Sequence, residues 1–483
     1  MFEKGRLAIA LALFSSAPLH AETMDMQQLL QNVINHYPAI KTAYFQVAKA
    51  RQENLKIRGQ LGWQLATQTG YAKEVSPFGS PVDQMMIGGS LGRKLESGDQ
   101  LTFSGSLAYE DSESSVSPLL PNPSTSSNLK VEYTMPLGKG AGNLDYSLGL
   151  LNAKAAVDIK TADQMILLDT MAEQVIELYV SAINTQQRIE NTHLSIKRTE
   201  KLSRFINDRL KLGIVEDKDQ LQTDAQLQSQ KAQLSVLNLA WTQQLIAINR
   251  LSGKSWNSQT ALSTPSIKLN NSHAVENQIS FVQQHSPALL QINSLISIAD
   301  NNITAQRQNQ DDKIDLKLYI GNKTTSGDAI DNSDVVAGVQ LEFAQSTDKS
   351  AGNAALYQAQ LERGLQLQNK KQLLENLHYD LASLLAESAA INQTINAYQK
   401  SKRAELKKLK DAEERYRSGR IDIDQLLQFE NQLSATELSL NLQKMELQKR
   451  LLKLSLLKGD IWKDIQLPVF DFTHDDNIIG ETL

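Results

Sequence analysis

The chain of 483 residues is 41% hydrophobic and 6% aromatic, carries 49 basic against 54 acidic residues and contains no cysteine. A disulfide scaffold, a cysteine nucleophile and cysteine-ligated zinc are therefore excluded; the net charge of −5 offers no footprint for nucleic acid. No run of 18 apolar residues supplies a membrane-spanning helix, an exclusion that alternating β-barrel strands escape.

In chain order, Lys4 and Arg6 precede an apolar run over 7–14, and small residues lead to Leu19, His20 and Ala21. A basic start, a short apolar run and small residues at a cut site predict a secretory signal at 1–21, so the mature chain leaves the cytoplasm. The lack of cysteine suits an oxidising compartment and leaves no acceptor for a lipoprotein anchor. Proline then punctuates the chain. It is absent from 137–264 and from 288–467, and helix interiors expel it because it lacks an N–H and clashes with the preceding turn. Both stretches are rich in Leu, Ala, Gln, Lys and Glu. Each predicts a helix of roughly 60–70 residues, about 100 Å long, ending at Gly213 or Gly419. Helices of that length need a coiled-coil or tube context.

The two glycines anchor an internal repeat. Arg209…Gly213 matches Arg415…Gly419, Leu221-Gln222 matches Leu427-Gln428, and Asp224 matches Glu430, all at an offset of 206. Leu227, Leu234, Trp241 and Ile248 stand seven apart, as do Leu433, Leu440, Leu447 and Leu454; Gly253 and Gly459 close the two helices. An earlier pair, His36-Tyr37-Pro38-Ala39 and His285-Ser286-Pro287-Ala288, each opening a helix of about 25 residues with Pro in its first turn, sits at an offset of 249. Repeat one (22–258) thus holds about 43 residues more than repeat two (275–460), which follows a linker at 259–274 and precedes a tail at 461–483.

Between the helices the period changes to two. Trp63, Leu65, Thr67, Thr69 and Tyr71 alternate with polar or small neighbours, as do Leu129, Val131, Tyr133 and Met135; in repeat two the equivalents are Ile314–Ile320 and Ala337–Phe343. These are strands with one apolar and one polar face, and about ten residues suits a tilted membrane-spanning strand. The surplus contains two more, Ile87–Leu95 and Leu101–Tyr109. Whether this extra pair joins the sheet or projects from it is open at this level, so one copy contributes four or six strands to it.

The order helix, strands, long helix, glycine turn, helix, repeated, resembles the TolC family of outer-membrane efflux channels over about 25–460. The most specific parts are the two R-x-x-x-G turns followed by L-Q-x-(D/E), and Met135-Pro136-Leu137-Gly138-Lys139-Gly140, similar to the family's strand-to-helix junction. The resemblance implies a mostly α fold with a membrane β-barrel part: two structural repeats per protomer, and a homotrimer whose α-barrel is continuous with a shared β-barrel of 12 strands, or of 18 if the extra pair joins it. It implies a passive exit duct in the Gram-negative outer membrane, extending into the periplasm, whose partners are a periplasmic membrane-fusion adaptor, an inner-membrane transporter and outer-membrane lipid. The adaptor-docking tips map to Leu212, Gly213, Ile214 and Val215 and to Ser418, Gly419, Arg420 and Ile421. The periplasmic gate maps to Asp219, Gln222, Tyr416, Gln425 and Gln428, with a Tyr416–Asp219 hydrogen bond holding the tip closed. Gln425 and Gln428 occupy positions that are acidic in some members, which implies weaker cation selection. The alternatives are the duct of a type I protein or adhesin secretion system and a periplasmic coiled-coil scaffold without a pore; alternating strands speak against the scaffold.

Other motifs read as structural. Gly88-Gly89-Ser90-Leu91-Gly92 satisfies G-x-S-x-G but lacks the strand-to-helix context of a nucleophile elbow. Gly138–Gly142 lacks the Lys-Ser/Thr ending of a phosphate loop. Asp328, Asp331 and Asp334 are a loose cation candidate in an expected surface loop. His36 and His285 are expected to bond locally at helix starts, and Lys400–Lys410 to form a solvated helix face. No catalytic set converges, so no enzyme and no cofactor are expected.

Overall fold

The computed structural model describes residues 22–75, 81–112, 122–265, 275–327 and 330–466; the signal at 1–21, most of the tail and Asp328 lie outside them. The helices come in matched pairs. Helices α1 (Met26–His36) and α5 (Val275–His285) have 11 residues each, and α2 (Pro38–Gly59) and α6 (Pro287–Gln308) have 22. The long helices α3 (Leu144–Lys211) and α7 (Ser350–Arg417) have 68, and α4 (Asp217–Leu251) and α8 (Ile423–Leu457) have 35. Local chemistry sets the boundaries. Asp25 and Gln28 form a reciprocal capping box at the start of α1, and Ser286 caps α6 with Pro287 in its first turn. His36 and His285 end α1 and α5 rather than starting the next helix. Each donates Nδ1–H to the carbonyl four residues back, at 2.9 Å.

The chain divides into two compact units. The first contains described residues 22–40, 168–265, 275–285 and 377–466. Its buried side chains include Leu29, Leu30, Val33, Ile176, Tyr179, Ile183, Ile248 and Leu433. Strand β1 (Glu22–Met24) pairs in parallel with β6 (Thr260–Leu262), so the stretch expected as a linker contributes a strand. The buried Tyr179 hydroxyl donates to the Ser263 carbonyl at 2.5 Å and has the Met24 carbonyl at 3.1 Å, tying both strands to α3. The start of the expected tail is packed too: Ile461 and Ile465 are buried, and the Gln466 amide donates to Gln31 Oε1 at 2.9 Å.

In the same unit Asp169 accepts from Trp462 Nε1 at 2.8 Å, and burial pushes its carboxyl up to about 6. The folded chain therefore holds this proton more tightly than the unfolded chain. The resulting stabilisation is complete below about pH 4 and is lost as pH rises through about 6. Asp169→Asn keeps an acceptor for the indole and removes the titration. The melting temperature of the wild type should fall between about pH 5 and 7.5 more steeply than that of the variant; parallel slopes would refute the assignment.

The second unit contains described residues 41–75, 81–112, 122–167, 286–327 and 330–376. Its sheet has six antiparallel strands: β2 (Gln64–Val75), β3 (Pro81–Lys94), β4 (Gln100–Ser112), β5 (Ser124–Pro136), β7 (Lys313–Gly327) and β8 (Ile330–Ala344), in spatial order β2-β3-β4-β5-β7-β8. The extra pair of repeat one is thus inside the sheet. β2 begins 249 residues before β7 (Gln64, Lys313), whereas β5 begins 206 before β8 (Ser124, Ile330), which places the surplus at β3 and β4. The strands run 12–15 residues, longer than their alternating cores. Backbone pairing continues past the point where the chemistry stops alternating. Asp331 and Asp334 accordingly lie in β8, paired with Ser326 and Lys323, not in a cation-binding loop; among the described residues no group of three metal-ligating side chains is found.

Register sorts the sheet into two faces. Leu65, Leu91, Phe103, Val131, Ile320 and Ala337 form one row across all six strands. One flanking row adds Leu101, Tyr133, Leu318 and Val339, and the other adds Leu129 and Val335 among glycines and polar residues; Leu65, Ile87, Leu107, Leu129 and Val339 are more than half exposed. The opposite face carries Gln68, Ser90, Ser104, Lys130, Glu132, Lys317 and Glu342, with Lys130–Glu132 and Lys317–Glu342 ion pairs at 2.7 Å. β2 and β8 each have one unpaired edge in the sheet.

Candidate functional site: the paired helical turns

The ends of α3 and α7 are built alike, in the first unit. Ile214 N–H donates to the Arg209 carbonyl at 3.0 Å and Arg420 N–H to the Arg415 carbonyl at 2.9 Å, each spanning five residues. This is the Schellman closure, which needs a left-handed residue; Gly213 and Gly419 supply it, both at φ +71°. A Cβ on either would meet nothing within 4 Å, so backbone conformation, not crowding, demands glycine there. The next helices begin differently: Asp422 caps α8 through the Gln425 amide at 3.0 Å, whereas Glu216 makes no side-chain cap on α4.

Behind the turns lies an apolar cluster of Ile206, Leu409, Ala412, Tyr416, Ile423, Leu426, Leu427 and Leu433. It divides the expected docking residues. Leu212, Gly213, Ile214, Ser418, Gly419 and Arg420 are exposed, Leu212 at 73%. Val215 and Ile421 pack against the cluster and hold the turns in place. The two turns are also joined directly: Arg209 Nη2 donates to the Arg417 carbonyl at 2.7 Å. The guanidinium groups of Arg209 and Arg417 lie 4.8 and 5.7 Å from the Phe205 ring centroid, within cation–π range.

The expected gate residues are partly brought together. Gln222 and Gln428 line one open recess of α4 and α8 with Gln226, Asp424 and Asn431, and Gln226 bonds Asn431 at 2.7 Å. Gln425 is exposed and lies outside this recess. Tyr416 faces Asp219, and its buried hydroxyl interacts with that carboxylate across a contact looser than ideal hydrogen-bond geometry. The ring is also held by an edge contact with Phe205, centroids 6.2 Å apart. Burial first, then the Asp219 charge, pushes the phenol up to about 12. Asp219 itself is raised above the usual carboxylate value, first by burial, with Glu216 and Asp424 adding to the rise against the opposing pull of Lys218.

Sequence reasoning missed the strongest polar feature near the turns. Arg198 on α3 bonds both carboxylate oxygens of Glu430 through Nε at 2.9 Å and reaches Glu437 at 3.3 Å. Ser195 donates to Glu430 at 2.9 Å, Gln230 donates to Ser195 at 3.0 Å, and Lys402 pairs with Glu437 at 3.0 Å. α3, α4, α7 and α8 are thereby linked through two acids that are 5% and 6% exposed. Burial raises the Glu430 pKa against the opposing pull of Arg198 and Ser195. Lys402, with Lys408 at 4.2 Å from the Phe429 ring centroid, also shows that the basic run on α7 is not simply a solvated face.

The crystal structure of the outer membrane protein VceC from Vibrio cholerae matches with a TM-score of 0.66 at 14% identity, over 90% of this chain and 96% of that one. The fold is that of the TolC-like outer-membrane channels. The outer-membrane channel OprN matches at 0.67 and 14%, over 90% of this chain and 89% of its own, and the CmeC outer membrane channel of Campylobacter jejuni at 0.64 and 13%, over 92% and 87%. No protein-family model and no curated protein sequence matches the chain. In this TolC-like fold the paired turns are the ends of the two long helical hairpins, as the repeat implied.

Proposed function

We propose that the chain is one subunit of a TolC-family homotrimer in the Gram-negative outer membrane. It conducts substrates passively from an inner-membrane pump and a periplasmic adaptor, the adaptor docking on the exposed turn residues Leu212–Ile214 and Ser418–Arg420. The observation that carries this reading is the six-stranded sheet. One face carries a band of exposed apolar side chains that crosses all six strands, and both edges are unpaired. Open edges are not tolerated in lipid, and joining the free edges of copies removes them and closes a barrel with the polar face inward. A coiled-coil scaffold needs no such face. No enzyme chemistry is assigned to the chain.

Outer-membrane fractionation should give a heat-sensitive trimer, and a soluble monomer would refute the duct. The turns supply a second test. The Arg209 guanidinium joins the two hairpins by a 2.7 Å hydrogen bond to the Arg417 carbonyl, whereas the Tyr416 hydroxyl meets Asp219 only in a looser contact. In planar bilayers Arg209→Ala should therefore raise conductance several-fold over wild type, and Tyr416→Phe should raise it less. The reverse order would return the latch to Tyr416.

A further inference from the structure

We propose that the β3–β4 hairpin is part of the barrel wall, raising the trimer to eighteen strands and widening the aperture through the outer membrane. The inference rests on the trimeric duct reading. A hairpin that projects from a barrel is paired on at most one side. Here β3 is in register with β2 from Gln64–Gly92 to Val75–Pro81, and β4 is in register with β5 from Gln100–Thr134 to Glu110–Ser124. No direct β2–β5 pairing remains for a smaller sheet.

Side-chain chemistry follows the pairing. Met85, Ile87 and Leu91 on β3 and Leu101, Phe103 and Leu107 on β4 share the apolar face of the other four strands. They suit contact with lipid acyl chains, and an aqueous projection would leave them unshielded. In its middle, the opposite side of the pair is small and polar: Gly88, Ser90 and Gly92 face Ser106, Ser104 and Thr102, with Gln84, Met86, Lys94 and Glu110 toward its ends. The lumen side of β5, β7 and β8 is bulkier, with Lys130, Glu132, Lys317, Tyr319 and Glu342. At the level of Gly88–Gly92 the added arc does not refill the space that it opens.

The turn of the hairpin is also seated. Gly142 N–H donates to the Ser97 carbonyl at 3.0 Å and Asn143 Nδ2 to the Leu95 carbonyl at 3.1 Å. Gly98, at φ +94°, lies so close that a Cβ would stand 2.6 Å from the Gly140 carbonyl oxygen and 2.9 Å from the Asn143 nitrogen. The hairpin is therefore built into the strand-to-helix junction that follows β5.

Width follows from strand number. At a strand spacing of about 4.8 Å and a tilt of about 40°, eighteen strands close at a backbone diameter of about 36 Å, against about 24 Å for twelve. The cross-section more than doubles, to the range of barrels that hold an open aqueous channel.

The native chain has no cysteine, so single Cys substitutions at Ile87, Leu107, Ser90 and Ser104 can carry a nitroxide in the full-length protein in bilayers. Ile87 and Leu107 labels should be relaxed by oxygen from the lipid, and Ser90 and Ser104 labels by a water-soluble nickel chelate. Electron cryomicroscopy of the trimer should show a barrel about 36 Å across. All four labels answering to the chelate, or a trimer with a barrel of about 24 Å, would overturn the wide aperture alone. Absence of a trimer would overturn the duct reading and the aperture with it.

Discussion

Arg198→Ala is expected to cost about 3–5 kcal/mol of stability at neutral pH, because it leaves two buried acids without their shared cation. Glu430 accepts from Arg198 through both oxygens, and Glu437 keeps only Lys402. Substituting a buried pair by apolar groups is often neutral, but removing one partner is not, since the remaining charge still lacks solvent. The sign with pH follows from Glu430, whose pKa already lies above its usual value in the folded chain. Its proton is bound more tightly when folded, so stability from this group is present at acid pH and falls as pH rises through the raised value. Without Arg198 the raising influences of burial and Glu437 act unopposed by it. The variant should therefore melt far below wild type at about pH 8 and approach it near pH 5. Arg198→Lys should rescue in part, since an ammonium restores charge but not the two-pronged contact. Thermal unfolding followed by helical circular dichroism at both pH values is the measurement. A loss below about 1 kcal/mol at the higher pH would show the network to be no stronger than a surface pair.

That network also marks where sequence stopped being informative. Helix lengths were legible because Pro38, Pro287, Gly213 and Gly419 act on the backbone alone, whatever packs around them. The strands were legible because a sheet with one mainly apolar and one polar face imposes period two along its middle. Where the demand stops, at the polar ends of β7 and β8, backbone pairing runs on without a signature, and Asp331 and Asp334 read as loop. Glu430 stood in the repeat only as the match of Asp224. Its spacing of seven from Ile423 and Glu437, both buried, was the available signal, but an acid at such a spacing reads equally well as solvated. The partner that decides, Arg198, is 232 residues away. The turns show the same division. Glycine and the preceding arginine located them, while only the fold reveals that Val215 and Ile421 face inward and that Tyr416 packs on Phe205 as well as facing Asp219.

Arginine at Val131 should abolish assembly, while arginine at Ser104 should not, although the two positions lie on adjacent strands. Val131 stands at the middle of β5, paired with Phe103 on one side and Ile320 on the other, in the apolar row that crosses the sheet. Ser104 pairs with Ser90 and Lys130 on the opposite face. In the proposed trimeric duct, an arginine facing lipid at mid-depth costs about 2–4 kcal/mol per chain, and the cost is repeated three times in one cooperative structure. Loss of the heat-modifiable species from the outer membrane, with the chain recovered in the periplasm, is the expected result for Val131→Arg. Ser104→Arg adds a cation to a face that already carries Lys130 and Lys317, so the trimer should persist and its preference for cations should fall in bilayer recordings. The face on which a residue stands, not how apolar its strand is as a whole, makes the distinction. Exchanging the two outcomes would invert the assignment of the faces, and equal tolerance would remove lipid from the sheet altogether.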